Sequence, residues 1–290
     1  AFESLVFANS TWLGLDELNG YPSLQAGVYW SGTASGCGPP FPGVAFVPGA
    51  VTLEHAHDVR IERNVLARLG AMGLVLETGS QRVSVVGNIV RDVSGTGIRV
   101  GNLDPAPSDA DAVEDIVVRN NYVRETGREL FDNAAIFLGY VRRTIVEHNE
   151  IDDAPYTGIS LGWGWSLTPT VARDNRIAQN LVHHVMRRLL DGGGIYTLST
   201  QEGSVLEGNY LHDVMNVHAG LYFDQGSQHY AARGNILASV PNWYLLQPVV
   251  EPHARDIVLE GNFADTTNAY CCGGLGCCTD PSWWNTIDGT

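Results

Sequence analysis

The sequence predicts an all-β solenoid, a run of short strands wound into stacked coils around one elongated core. Three observations carry that prediction. The phrase Asn, then Gly-[Ile/Leu]-x-[Val/Leu/Phe], returns along the chain: Asn88 with Gly97-Ile98-Arg99-Val100, Asn149 with Gly158-Ile159-Ser160-Leu161, Asn180 with Gly194-Ile195-Tyr196-Thr197, and Asn209 with Gly220-Leu221-Tyr222-Phe223. Asn64, Asn121, Asn235 and Asn262 begin the same phrase, and the steps between successive Asn are 24, 33, 28, 31, 29, 26 and 27 residues. A period of that size marks a repeat architecture in which each unit buries its apolar face against its neighbours. Within each unit, two apolar runs such as Val83-Ser84-Val85-Val86 and Ile98-Arg99-Val100 alternate with period two, the signature of strands.

In chain order, residues 1–50 are loop-rich. They hold an early strand, Phe2–Ala8, and a Gly/Pro-rich stretch containing Cys37. Because the chain opens at Ala1 already in strand-like sequence, it reads as a mature or trimmed product. Coils then run almost unbroken to about Asn268, so residues 1–268 form one domain and 269–290 a Cys-rich tail. Two insertions stretch the period. Asn102–Val113 reads as an exposed acidic loop, and Met186–Gly193 ends in Asp191-Gly192-Gly193.

All eight repeat Asn residues are expected at turns, tolerating left-handed backbone and stacking into a ladder. The following Gly is expected to allow a tight bend without a Cβ clash. Alternation then sorts the next strand. Ile159, Ile195 and Leu221 point inward, while Ser160, Tyr196 and Tyr222 point outward. Stacked coils therefore predict a solvent-facing strip of Tyr196 and Tyr222, with Trp163 and Trp165 beyond the strand, His218 before it, and Asp224-Gln225 at its rim. Aromatic rings beside carboxylates suit a carbohydrate, since glycosidic cleavage uses two carboxyl groups. Asp191, ahead of three glycines, and Asp224 are the candidate catalytic acids. In extended register they would stand roughly 23 Å apart, and only a fold-back at Gly192–Gly194 joins them.

The formal charge is −15, with 32 acidic residues against 17 basic ones, all of them Arg. Such a surface excludes phosphate-driven nucleic-acid binding and disfavours polyanionic substrates. No apolar run is long enough for a membrane helix. Five cysteines are present: Cys37, and Cys271, Cys272, Cys277 and Cys278 in the tail. A disulfide-stapled cap is expected, with the odd thiol open to crosslinking or self-association. The sequon at Asn9 agrees with a secreted, extracellular glycoprotein. No resident metal or cofactor is expected.

The phrases Thr157–Trp165, Asp191–Leu198 and Gly220–Ser227, with Phe2–Ala8 and Gln25-Ala26-Gly27-Val28, resemble bacterial proteins related to glycoside hydrolase family 141. The resemblance covers roughly residues 1–265. It implies a right-handed parallel β-helix, action on a fucosylated or xylan-type polysaccharide, and Asp191 and Asp224 as the catalytic pair, although Gln225 stands where that family frequently has an acid; Trp163, Trp165, Tyr196, Tyr222, His218 and Gln225 of the strip are the candidate substrate-binding residues. Two other readings stand beside this one: a structural or adhesive component of an extracellular fibre or cell coat, and a polysaccharide lyase or epimerase. The lyase reading suffers from the missing Lys.

Overall fold

A computed structural model describes residues 1–14, 23–30, 44–215, 218–247, 250–269 and 286–287. Cys37 and the four tail cysteines lie outside these residues, so the disulfide expectation does too.

Three parallel sheets of ten, nine and eight strands run the length of the molecule. Each full coil gives one strand to each sheet; Ile145–Glu147, Glu150–Asp152 and Ile159–Leu161 make one such turn. The expected two strands per unit are therefore three. The extra strand escapes the sequence pattern because a two-residue corner separates it from the one before. In the coil of Ser84–Val86 and Ile89–Val93, only Gly87-Asn88 intervenes. Phe2–Glu3 and Val6–Ser10 pair with Arg60–Glu62 and Val65–Leu69, so the first residues already form rungs of two sheets. A small antiparallel sheet of Ser23–Leu24, Val28–Trp30 and Val44–Phe46 is inserted before the third sheet begins.

The corner Asn residues form the expected ladder. From Asn64 through Asn88, Asn121, Asn149, Asn180, Asn209 and Asn235 to Asn262, each backbone N–H and side-chain amide donates to the Oδ1 of the next Asn at 2.9–3.1 Å. Each amide also donates to a backbone carbonyl of the preceding coil, as Asn149 does to Val118 at 2.9 Å. The left-handed backbone, however, falls on the residue before each Asn: Arg63, Gly87, Asn120, His148, Gln179, Gly208, Gly234 and Gly261. That turn points the Asn inward, where all eight are buried.

The glycine that precedes the inward Ile/Leu of the third sheet is needed for space. A Cβ on Gly194 would lie 2.5 Å from the Leu211 side chain and 3.0 Å from the Gly220 carbonyl. The bore is one continuous apolar cluster from Ile61 to Leu259, including Ile159, Ile195, Leu221 and Phe223. Among the described residues no helix is long and apolar enough to cross a membrane. The adjacent Arg pairs have local partners, although Arg187 and Arg188 line an open surface pocket with Arg128. Arg142 and Arg143 pair with Glu114 and Asp115 of the coil before, Arg187 pairs with Asp153, and Arg188 lies 4.3 Å above the Phe131 ring.

Candidate functional site

The outward positions of the third sheet stack in register: Val75, Arg99, Phe137, Ser160, Tyr196, Tyr222 and Leu245. Alternation assigns this side correctly, but the side is covered. Tyr196 and Tyr222 are each 2% exposed and Trp163 is 4% exposed, packed with Ala26, Phe137, Leu198 and Leu245 in a second cluster outside the bore. The expected solvent-facing aromatic strip is thus a buried layer. Its rings pack edge-on against one another, Tyr196 to Tyr222 with centroids 5.1 Å apart and Trp163 to Trp165 at 5.0 Å, and do not offer flat faces to a sugar. Trp165 keeps a partly exposed position at its margin.

The tyrosines have a different task. The Tyr196 hydroxyl donates a short hydrogen bond to Asp224 Oδ2. The Tyr222 hydroxyl lies 3.1 Å from Asp224 Oδ1 and 3.2 Å from Asp191 Oδ1. One phenol therefore touches both candidate acids, and the two carboxylate oxygens stand apart by at most the sum of those lengths, ~6.3 Å. The two acids do come together, but not through a fold-back at Gly192–Gly194, since Gly193 and Gly194 are extended strand. Asp191 adopts φ 59°, left-handed backbone that Asp tolerates, and the chain turns back there before entering Gly193–Thr197.

Other groups fix that turn. The buried Tyr156 hydroxyl donates to the Asp191 carbonyl at 2.7 Å and itself accepts from the Gln25 amide. The Asp191 N–H donates to His218 Nδ1 at 3.3 Å, and the His218 ring stacks on Tyr222 at 5.4 Å. His218 thus joins the site by holding Asp191 and Tyr222. Gln225 contributes its backbone N–H to Asp224, while its side chain donates to the Glu251 carbonyl, away from the pair. Tyr156 and Gln25 are site residues that sequence reasoning missed. Tyr156 stands two residues before Gly158 of the repeat, one coil before Asp191, and that placement was the available signal.

The two acids differ in setting. Asp191 is exposed, whereas Asp224 is 3% exposed. Burial pushes the Asp224 carboxyl above its ordinary range, and the nearby Asp191 charge adds to this against the hydrogen bonds from Tyr196 and Tyr222. Burial also drives both phenols far above their usual values, so they stay protonated and donate. A single hydroxyl proton cannot serve two carboxylates at once. Tyr222 therefore donates to one carboxylate at a time, while Tyr196 holds Asp224 Oδ2.

A family model described as "Right handed beta helix region" matches residues 49–237. Among solved structures, the chain is similar to a "Glycoside hydrolase", with a TM-score of 0.77 and 30% identity over 89% of this chain and 47% of that one. It is also similar in fold to the Azotobacter vinelandii mannuronan C-5 epimerase AlgE4 A-module, with a TM-score of 0.54 and 14% identity over 83% of this chain and 54% of that one. The chain spans about half the length of each. No curated protein matches it.

Proposed function

The chain belongs to the right-handed β-helix family, and from that premise we propose that it is a glycoside hydrolase of the two-carboxylate kind. Asp224 is the general acid and Asp191 the nucleophile. The observation that carries this reading is the Tyr222 hydroxyl within hydrogen-bond reach of both carboxylates. One oxygen of each carboxylate lies within ~6.3 Å of the other, close enough for a cooperating glycosidase pair, and with Asp191 as nucleophile the reading is a retaining mechanism. In the first step, Asp191 bonds to the anomeric carbon as the glycosidic C–O bond breaks, and the leaving oxygen takes the Asp224 proton. In the second, water displaces Asp191 and returns a proton to Asp224. Tyr196 and Tyr222 steady the Asp224 carboxylate between the steps.

The finer assignment rests on the resemblance to family 141: a fucosylated or xylan-type glycan cleaved by a secreted protein. The net charge of −15 supports a neutral substrate over a polyuronate. Among the described residues, the side chains bonded to the two carboxylates are tyrosines, with no Arg, which disfavours uronate lyase or epimerase chemistry. The test is turnover of fucosylated and xylan-type oligosaccharides followed by proton NMR of the first-formed anomer. Retention of configuration is expected. Clean inversion would remove Asp191 as nucleophile, and no turnover across the panel would remove the substrate class.

A further inference from the structure

The second sheet carries a cluster that the hydrolase reading does not use. Asp152, His183 and His212 stack in register on adjacent coils. His184 follows His183 directly, and alternation should send it to the opposite face. Its φ of 51° breaks the alternation and brings its ring beside His183.

Three atoms converge there. Asp152 Oδ1 lies 3.3 Å from His183 Nδ1 and 3.1 Å from His184 Nδ1, and the two Nδ1 atoms are 2.8 Å apart. Ligand atoms held 2.0–2.2 Å from a zinc-like ion stand about 2.8–3.6 Å from one another in octahedral or tetrahedral geometry. The triangle therefore has the edges of one face of such a polyhedron. The far nitrogens look toward carboxylates: His183 Nε2 lies 3.4 Å from Glu150 Oε1, and His184 Nε2 lies 3.9 Å from Asp213 Oδ2. A carboxylate behind each imidazole is the arrangement that orients a metal-bound histidine. Asp213 is itself held by His212 Nδ1 at 2.7 Å, and His212 stacks on His183 at 4.8 Å. A hydrogen-bonded proton could satisfy one edge of the triangle at a time; a cation satisfies all three.

We infer that Asp152, His183 and His184 form a binding site for a divalent transition cation such as Zn²⁺, Co²⁺, Ni²⁺ or Cu²⁺. Two imidazoles and one carboxylate select these ions over Ca²⁺ and Mg²⁺, which take oxygen ligands. His184 is half-exposed, which leaves the remaining positions to water. The ion joins Asp152 of one coil to His183 and His184 of the next, so it acts as a clasp between coils.

The test uses the full chain after chelator treatment and dialysis. Co²⁺ titration is expected to show one ion per chain with an N/O-type visible spectrum, unaffected by excess Ca²⁺. Zn²⁺ is expected to raise the melting temperature. His183→Ala and His184→Ala should each weaken Co²⁺ at least tenfold and abolish the Zn²⁺ shift, while Asp213→Asn weakens binding about tenfold and His229→Ala changes nothing. Independently of any variant, the EPR spectrum of one equivalent of Cu²⁺ should show splitting by two imidazole nitrogens. Absence of binding, a Cu²⁺ spectrum without nitrogen splitting, or binding that survives both histidine variants with thiolate charge-transfer bands would overturn the site.

Discussion

Two buried polar constructions run beside each other in this solenoid, and they obey different rules. In the Asn ladder every member is neutral, the backbone and side-chain amides of Asn64 through Asn235 each donate to the next Asn, and the pattern repeats to Asn262. In the Asp–Tyr layer the groups occur once, and two carboxyls share one phenol. The ladder costs nothing in charge and links each coil to the next. The layer confines a like-charged pair in which one member is buried, an arrangement that works against stability and persists at reactive sites. The same fold thus separates groups that hold it together from groups that do chemistry.

Substitution can break that contrast or sharpen it. The largest expected effect is on turnover. Asp191→Asn removes the nucleophile and should abolish turnover, measured as reducing-end release, with the fold intact by circular dichroism because Asp191 is exposed. Next in size is a change in the ladder. Asn149→Ala leaves the Asn121 amide groups without an acceptor and the Val118 carbonyl without its donor. At about 1–3 kcal/mol for each group left unpaired, stability should fall by at least ~2 kcal/mol in urea unfolding, while turnover per folded molecule is kept.

A smaller effect is expected at the junction. Tyr222→Phe removes a hydrogen bond worth about 1.5–3 kcal/mol to a charged group, so kcat/KM should fall roughly 10–100-fold. That bond also holds the Asp224 carboxyl down against burial. Its loss raises Asp224 further, and the alkaline limb of the pH profile should move upward. The smallest expected effect is on pH-dependent stability. Asp224 lies higher in the folded chain than its unfolded value of about 3.9. Between that value and the raised one, the folded state binds more protons than the unfolded state. Stability therefore falls as pH rises through the window, and Asp224→Asn should flatten this part of the unfolding curve.

The regular parts of the molecule were legible in the sequence because repetition exposes them. The eight Asn, the glycine column and the inward Ile/Leu positions recur with each coil, so their register could be read directly. What depends on one local event could not. The strand after each Asn was hidden by a two-residue corner such as Gly87-Asn88. Alternation told which side Tyr196 and Tyr222 occupy, but coverage of that side comes from distant residues such as Ala26 and Leu245. The approach of Asp191 to Asp224 turns on one left-handed residue, and so does the pairing of His183 with His184. The Asp191 turn leaves no periodic trace; the left-handed position of His184 recurs at Arg68, Asp92, Glu125, Asp153 and Asp213, but the residue types there vary too much to expose it. His218 was placed at the site by position, and its structural part, accepting the Asp191 N–H, follows from the same turn.

The measurement that bears most directly on the account is a paired one on Asp224→Asn: glycan turnover and melting temperature on the same preparation. Turnover lost at an unchanged or higher melting temperature is the predicted result, because a buried acid is removed and its hydrogen-bond partners are kept. Turnover retained, or lost together with a melting temperature that drops as far as that of Asn149→Ala, would contradict it.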